Sequence, residues 1–216
     1  MTATPVPKSD FPGTPRPELL LVCGLLGLLG NLAPLVTMTI AAGIAEHDMI
    51  ADTISDLGRG PHKWIMDTGF YLNAAAMFAL AIAAAHLHLG RWGWSMGILT
   101  LAVLSLLITM IGLWDTFHSG QNPPPGRSVH TRLTYGLAPL YLVGPLVMAQ
   151  GAARLHGWMA PAFYTSGGLW IVFAVAFKLA PDGFDGLMEK IAVTATYGWS
   201  LPLAWLFFHQ GRRRVV

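Results

Sequence analysis

Charged side chains are scarce in this sequence. Only 11% of its 216 residues are Asp, Glu, Lys or Arg, whereas 54% are apolar, and soluble domains carry roughly 25% charged residues. This composition excludes an ordinary soluble domain as the body of the protein. The formal net charge is only +2 and the chain has no basic stripe, so we expect no nucleic acid as a partner.

Cysteine is nearly absent as well. Cys23 is the single cysteine of the chain. A disulfide framework and an internal dithiol redox pair both need a second thiol. A single chain therefore has neither an internal disulfide to stabilise its fold nor a dithiol pair for redox chemistry.

Long apolar runs take the place of the missing charge. A membrane-spanning helix needs about 20 mostly apolar residues. Backbone groups inside a bilayer must all be hydrogen-bonded within the protein, and these runs are too long and continuous for barrel strands. We therefore predict an all-α integral membrane protein, a six-helix bundle formed by residues 18–211. A proline-rich tail, residues 1–17, is predicted to be disordered, and residues 212–216 form a short basic tail. The six predicted spans lie at about 19–41, 65–87, 92–114, 131–152, 158–179 and 190–209.

Lys and Arg are divided almost evenly between the two sides of the predicted bundle. The triple arginine Arg212–Arg214, and two short connections on the same side that carry one arginine each, favour a cytoplasmic location for both termini. We therefore predict a multi-pass protein of the plasma (inner) membrane. Nine of the eleven acidic residues then share the opposite side, which we call the acidic end.

The first connection at the acidic end, residues 43–63, is long enough to hold structure of its own. Its apolar residues recur at roughly helical spacing among acidic ones, which predicts a short amphipathic helix on the membrane surface, ended by Gly58. The apolar positions are Ile44, Met49, Ile50, Ile54 and Leu57.

Three residues around the second acidic-end connection suit a metal ion. Asp115 and His118 lie three positions apart at a helix end, and His130 lies in the first turn of the fourth span. If the third and fourth spans are neighbours, the three side chains come together. Imidazole and carboxylate groups are ligands for zinc and also serve as general acids and bases. Two other interpretations stay open: ordinary residues at a water interface, or a structural hydrogen-bond cluster.

Polar stripes run from the acidic end into two spans. Glu189, Thr196 and Ser200 share one helix face, as do His130 and Thr134, followed by Tyr141. Ionisable groups at bilayer depth usually face a partner or a wet pocket. We predict a polar pocket between the second, third, fourth and sixth spans, with interhelical packing through hydroxyl groups as the alternative.

Several short motifs mark the ends of the predicted spans. They are Ile54-Ser55-Asp56-Leu57-Gly58-Arg59, Asp115 with His118, His130, Glu189-Lys190-Ile191 and Trp199. Together they resemble a known family, the six-span membrane proteins of the domain of unknown function 998. This resemblance implies a bacterial or archaeal six-helix membrane protein and implies little about activity. More remotely, Ser, Asp and His at one rim are similar to the ceramidase and adiponectin-receptor type of zinc-dependent membrane hydrolases, although those have seven spans and a late His-x-x-x-His pair.

Two functions fit these patterns. The first is a metal-dependent hydrolase of a lipid amide or ester, with zinc on His118, His130 and Asp115 or Asp56. Candidate catalytic residues are then Ser55, Asp56 and Glu189. The second is a noncatalytic module that binds membrane lipid, transports a substrate or assembles a membrane complex. Transport ranks below binding because the two halves of the chain show no convincing repeat.

Overall fold

The apolar runs fold into long helices in this computed structural model, which describes residues 16–89, 91–113, 129–181 and 183–215. Six helices are long and apolar enough to cross a membrane, and the described residues contain no strand. The prediction of an all-α, six-span membrane bundle is confirmed. The helices are α1 (Pro17–Ile44), α2 (Ile54–Leu57), α3 (Lys63–His86), α4 (Trp92–Leu113), α5 (Val129–Ala153), α6 (Met159–Leu179) and α7 (Asp185–Val215).

The six spans form a closed ring in chain order. Each long helix packs against the next one along the chain, and α7 packs back against α1, while contacts across the ring are few. Close approach of two helix backbones closes the ring: a Cβ atom at Gly24 of α1 would overlap the backbone of Phe208, and one at Gly211 of α7 would overlap that of Leu21. Small residues at such crossings let membrane helices pack through their backbones.

The tightly packed core lies in the half of the bundle away from the acidic end. Trp94, Met148, Phe163 and Phe207 are fully buried there. At the acidic end, by contrast, α5 and α6 contribute little to the core, because His130 is the only buried residue in 129–140 and none is buried in 171–180. The buried cluster at that end lies instead between α1, α3 and the short helix α2.

Residues 45–58, which we call the cap segment, cross the acidic end. The predicted surface helix is wrong in extent, since only Ile54–Leu57 is helical. The side chain of Asp48 accepts hydrogen bonds from the backbone of Ile50 (2.8 Å) and Ala51 (3.1 Å), and such side-chain bonds compete with helix formation. Ile54 and Leu57 are buried against α1 and α3 rather than in lipid. The cap segment is thus part of the bundle.

Candidate functional site

The first turn of α7 holds the cap segment in place. Leu187 N–H donates to the Ile50 carbonyl at 2.8 Å, and Lys190 Nζ donates to the Asp52 carbonyl at 2.5 Å. Gly186 lies directly against Asp52, where a Cβ atom would overlap the Asp52 carbonyl oxygen. A single helical turn therefore fixes the path of the chain ahead of α2.

Glu189 joins this turn to α2 through both oxygens of its carboxylate. Oε2 accepts the Ile54 backbone N–H at 2.5 Å, and Oε1 accepts the Ser55 hydroxyl at 3.3 Å. The carboxylate thereby satisfies one of the backbone donors that every helix leaves open at its N-terminus. An acidic side chain can stay in this apolar setting because both of its oxygens have donors.

Ser55 also reaches the buried side chain of His130. The Ser55 hydroxyl lies 3.4 Å from Nε2 of His130, and His130 is only 6% exposed. Three residues predicted from separate segments, Ser55, His130 and Glu189, therefore meet at the acidic end. The hydroxyl stands between an imidazole and a carboxylate, so Glu189 bonds the serine rather than orienting the histidine.

Asp56 has a structural role in the same segment. Its Oδ2 accepts hydrogen bonds from the backbone and the hydroxyl of Thr53, both at 2.7 Å, and Oδ1 pairs with Arg59 at 3.2 Å. Together with the Thr53 hydroxyl, which accepts the Asp56 N–H, these bonds form a capping box. The contacts that Asp56 makes are therefore those that hold α2.

The predicted metal site extends beyond the described residues. Asp115 and His118 lie in 114–128, outside the described part of the chain, and only His130 of the three ligands is described. Among the described residues, no group of three His, Cys, Asp or Glu side chains is arranged to hold a metal ion. Zinc at Asp115, His118 and His130 stays a prediction.

A cavity opens inside the ring beneath these residues. Its volume is about 130 Å³. Ser55, His130, Glu189 and Lys190, which we call the mouth, line its polar part. Apolar side chains line most of the rest, among them Met38, Met66, Ile108, Ile111, Leu137 and Val193. The cavity is therefore amphipathic.

All six spans contribute to this cavity, two more than predicted. The four predicted walls, α3, α4, α5 and α7, are present, and α1 and α6 complete the ring through Pro34, Leu35, Met38 and Trp170. The two extra walls are mostly apolar. Cavity walls and lipid-facing surfaces are built from the same apolar residue types, so the sequence does not show that α1 and α6 line the cavity.

The polar stripes of α5 and α7 reach the cavity, but their threonine and serine hydroxyl groups bond to their own helices. Thr134 donates to the Thr131 carbonyl at 2.8 Å, and Thr196 donates to Val193 at 2.6 Å. Ser200 donates to the Thr196 carbonyl at 3.3 Å. These three hydroxyls do not join helices to one another. The alternative interpretation, interhelical packing through hydroxyl groups, therefore finds no support in their contacts.

His47 is a residue near the mouth that the sequence did not single out. Its side chain is 3% exposed, and its Nδ1 lies 3.8 Å from Asp52. Burial and the nearby positive charge of Lys190 lower the pKa of His47, and the carboxylates of Asp48, Asp52 and Asp56 oppose that shift. His47 is therefore held as a neutral imidazole within the cap segment.

Comparison with known proteins identifies the family and no activity. No curated protein and no solved structure matches the chain, so the likeness to zinc-dependent membrane hydrolases stays a prediction. The family model described as "Protein of unknown function (DUF998)" matches residues 28–206, a range that includes the cap segment, the mouth and part or all of each span. The chain belongs to the DUF998 family of multi-pass membrane proteins.

Proposed function

We propose that the bundle binds a membrane lipid in the central cavity. The head group lies at the mouth among Ser55, His130, Glu189 and Lys190, and a chain extends along the apolar wall. The single observation that carries this proposal is the amphipathic cavity, polar where the cap segment meets α7 and apolar toward the middle of the bundle.

The contacts at the mouth provide the selectivity in this proposal. A lipid chain leaves surroundings as apolar as the cavity wall, so transfer of the chain alone contributes little free energy. Hydrogen bonds and charge at the head group are worth more, because the site is shielded from water. Lys190, next to Glu189 in sequence, gives the mouth a nitrogen donor beside a carboxyl acceptor, which fits a polar or zwitterionic head group.

A narrowed cavity tests this proposal. We expect Val193→Phe, which places a ring in the cavity wall, to lower the lipid that stays bound after mild detergent extraction by at least severalfold, as measured by mass spectrometry of extracted lipid. Val172→Phe is the matched control, because Val172 is 59% exposed on the outside of α6. Equal lipid in the native protein and both variants, with equal thermal stability, would contradict the proposal.

A second candidate function is hydrolysis of a lipid ester or amide, favoured by the 3.4 Å approach of Ser55 to His130. In this reaction the Ser55 oxygen bonds to the carbonyl carbon while its proton moves to His130 Nε2. The bond to the leaving alcohol or amine then breaks, and that group takes the proton from His130. Water repeats the two steps on the acyl-serine, which releases the acid and restores Ser55.

The chain contains its own control for this reaction. Ser95 and His88 form a second serine–histidine contact, 3.1 Å long, at the other end of the bundle. With fluorogenic acyl esters and ceramides, we expect Ser55→Ala and His130→Gln to reduce turnover on the order of 10²–10⁴-fold, and Ser95→Ala to leave it unchanged. Equal rates in native protein and Ser55→Ala would reject the serine pathway.

Elemental analysis tests the metal pathway. A zinc content near one atom per chain, lost in a His118→Ala, His130→Ala variant, would support that pathway instead.

A further inference from the structure

The cavity contains a second set of polar side chains well below the mouth. Tyr141 of α5, Tyr197 of α7 and Asn73 of α3 all line it. Tyr141 follows His130 by 11 residues and Tyr197 follows Glu189 by 8, so their Cα atoms lie about 16 and 12 Å deeper at a rise of 1.5 Å per residue. Helical side chains lean toward the N-terminus. Since α5 and α7 both begin at the acidic end, the two phenol groups lean back toward the mouth.

The two tyrosine hydroxyls differ from the other hydroxyl groups in the cavity wall. Thr134 and Thr196 bond to carbonyls of their own helices. A phenol group stands too far from its own backbone to do the same. Within the described part of the chain, neither Tyr141 nor Tyr197 makes a hydrogen bond, although Tyr141 is only 8% exposed. Both phenols belong to a mostly apolar cavity wall, so a polar group bound in the cavity would supply the hydrogen-bond partner that their hydroxyls lack.

Neighbouring side chains hold the set in position. Asn73 Nδ2 donates to Asn31 Oδ1 at 3.3 Å, and Asn31 donates to the Gly27 carbonyl at 2.6 Å, which fixes the Asn73 amide. The ring of Tyr141 packs against Trp170, with ring centroids 5.0 Å apart. Rotation of the phenol and the amide out of the cavity would break these contacts.

We infer that Asn73, Tyr141 and Tyr197 form a second polar subsite that receives a carbonyl oxygen in the membrane-buried part of the bound lipid. This inference rests on the proposed function, lipid binding in the cavity. A purely hydrocarbon chain at this depth leaves both phenol hydroxyls unpaired. A chain with a carbonyl group there accepts hydrogen bonds from them, so the cavity prefers lipids with two polar groups, one at the mouth and one below it.

A pair of probes that differ only in that carbonyl group tests the inference. The probes are a saturated long-chain fatty acid and the same acid with a ketone near mid-chain, titrated calorimetrically into the full-length protein in mild detergent. We expect the keto acid to bind about three- to tenfold more tightly, the effect of one typical hydrogen bond. Tyr141→Phe and Tyr197→Phe should each reduce that preference, and neither should weaken binding of the saturated acid, because its hydrocarbon chain makes no hydrogen bond to the removed hydroxyl.

The outcomes separate this inference from the proposed function. Binding of the saturated acid at least as tight as in the native protein shows that the variants fold. Tyr164→Phe is the matched control, because Tyr164 does not line the cavity. Its hydroxyl accepts a hydrogen bond from Gln150 Nε2 at 2.6 Å. Equal affinities of the native protein for both probes would overturn the subsite alone, and so would a preference that survives in the Tyr141→Phe, Tyr197→Phe double variant. Binding of neither probe would overturn lipid binding as well.

Discussion

At the scale of single residues, the Glu189 carboxylate both holds the cap segment and forms part of the candidate site. Its carboxylate bonds to the backbone of Ile54 and to the hydroxyl of Ser55, which itself lies beside His130. The sequence marked Glu189 and His130 as ionisable residues at a membrane rim, and it marked Ser55 through the short motif that resembles the family. It gave no reason to pair Glu189 with Ser55, because 134 residues separate them.

His47 makes the cap segment sensitive to pH. Burial and Lys190 lower the pKa of His47 in the folded protein, so the unfolded segment binds a proton first as pH falls. The stabilisation from neutral His47 is therefore complete above the ordinary histidine pKa of about 6.5 and is lost below it. We expect amide hydrogen exchange in residues 46–57 to rise between pH 7.5 and about 5, after correction for intrinsic rates.

Variants at two histidines check the source of that change. In His47→Gln the side chain stays neutral, so the extra exchange at low pH should disappear. His62→Gln changes an exposed histidine at the same end and should leave it in place. The same pH response in native protein and His47→Gln would rule out His47 as its origin.

At the scale of elements, the first turn of α7 acts as a clamp on the cap segment. The long helices themselves were predictable, because an apolar run of span length has no other stable form in a bilayer. The cap segment was not, because its apolar spacing suits a helix while Asp48 binds the backbone in a turn. Local hydrogen bonds decided the outcome there, and hydrophobic spacing does not report them.

The absence of a side chain at Gly186 allows the first turn of α7 to lie directly against Asp52 of the cap segment. We expect Gly186→Ala to lower the free energy of unfolding by about 1–3 kcal/mol, the usual effect of forcing extra atoms into a packed contact, because the new Cβ overlaps the Asp52 carbonyl. Thermal unfolding in detergent measures the change. Gly168→Ala is the control, because a Cβ atom there meets nothing within 4 Å and alanine favours a helix. Equal melting temperatures for the two variants would contradict the clamp.

At the scale of the whole molecule, the number of spans and the polar end followed from the sequence, but the ring did not. A six-helix bundle can be arranged in many ways, and apolar composition does not distinguish them. The arrangement depends on close contacts such as Gly24 against Phe208, and a glycine in a membrane helix is too common to identify its partner. The extra cavity walls from α1 and α6 are a consequence of this closure.

Ring closure by α7 also sets the order in which the protein matures during synthesis. A nascent chain that has inserted α1 to α6 has no α7 to pack against α1, and its cap segment lacks the turn of Gly186, Leu187, Glu189 and Lys190 that binds it. The cavity therefore becomes enclosed, and the mouth complete, only when the last span enters the membrane. A chain that stops before α7 would leave the cavity open to the lipid between α6 and α1.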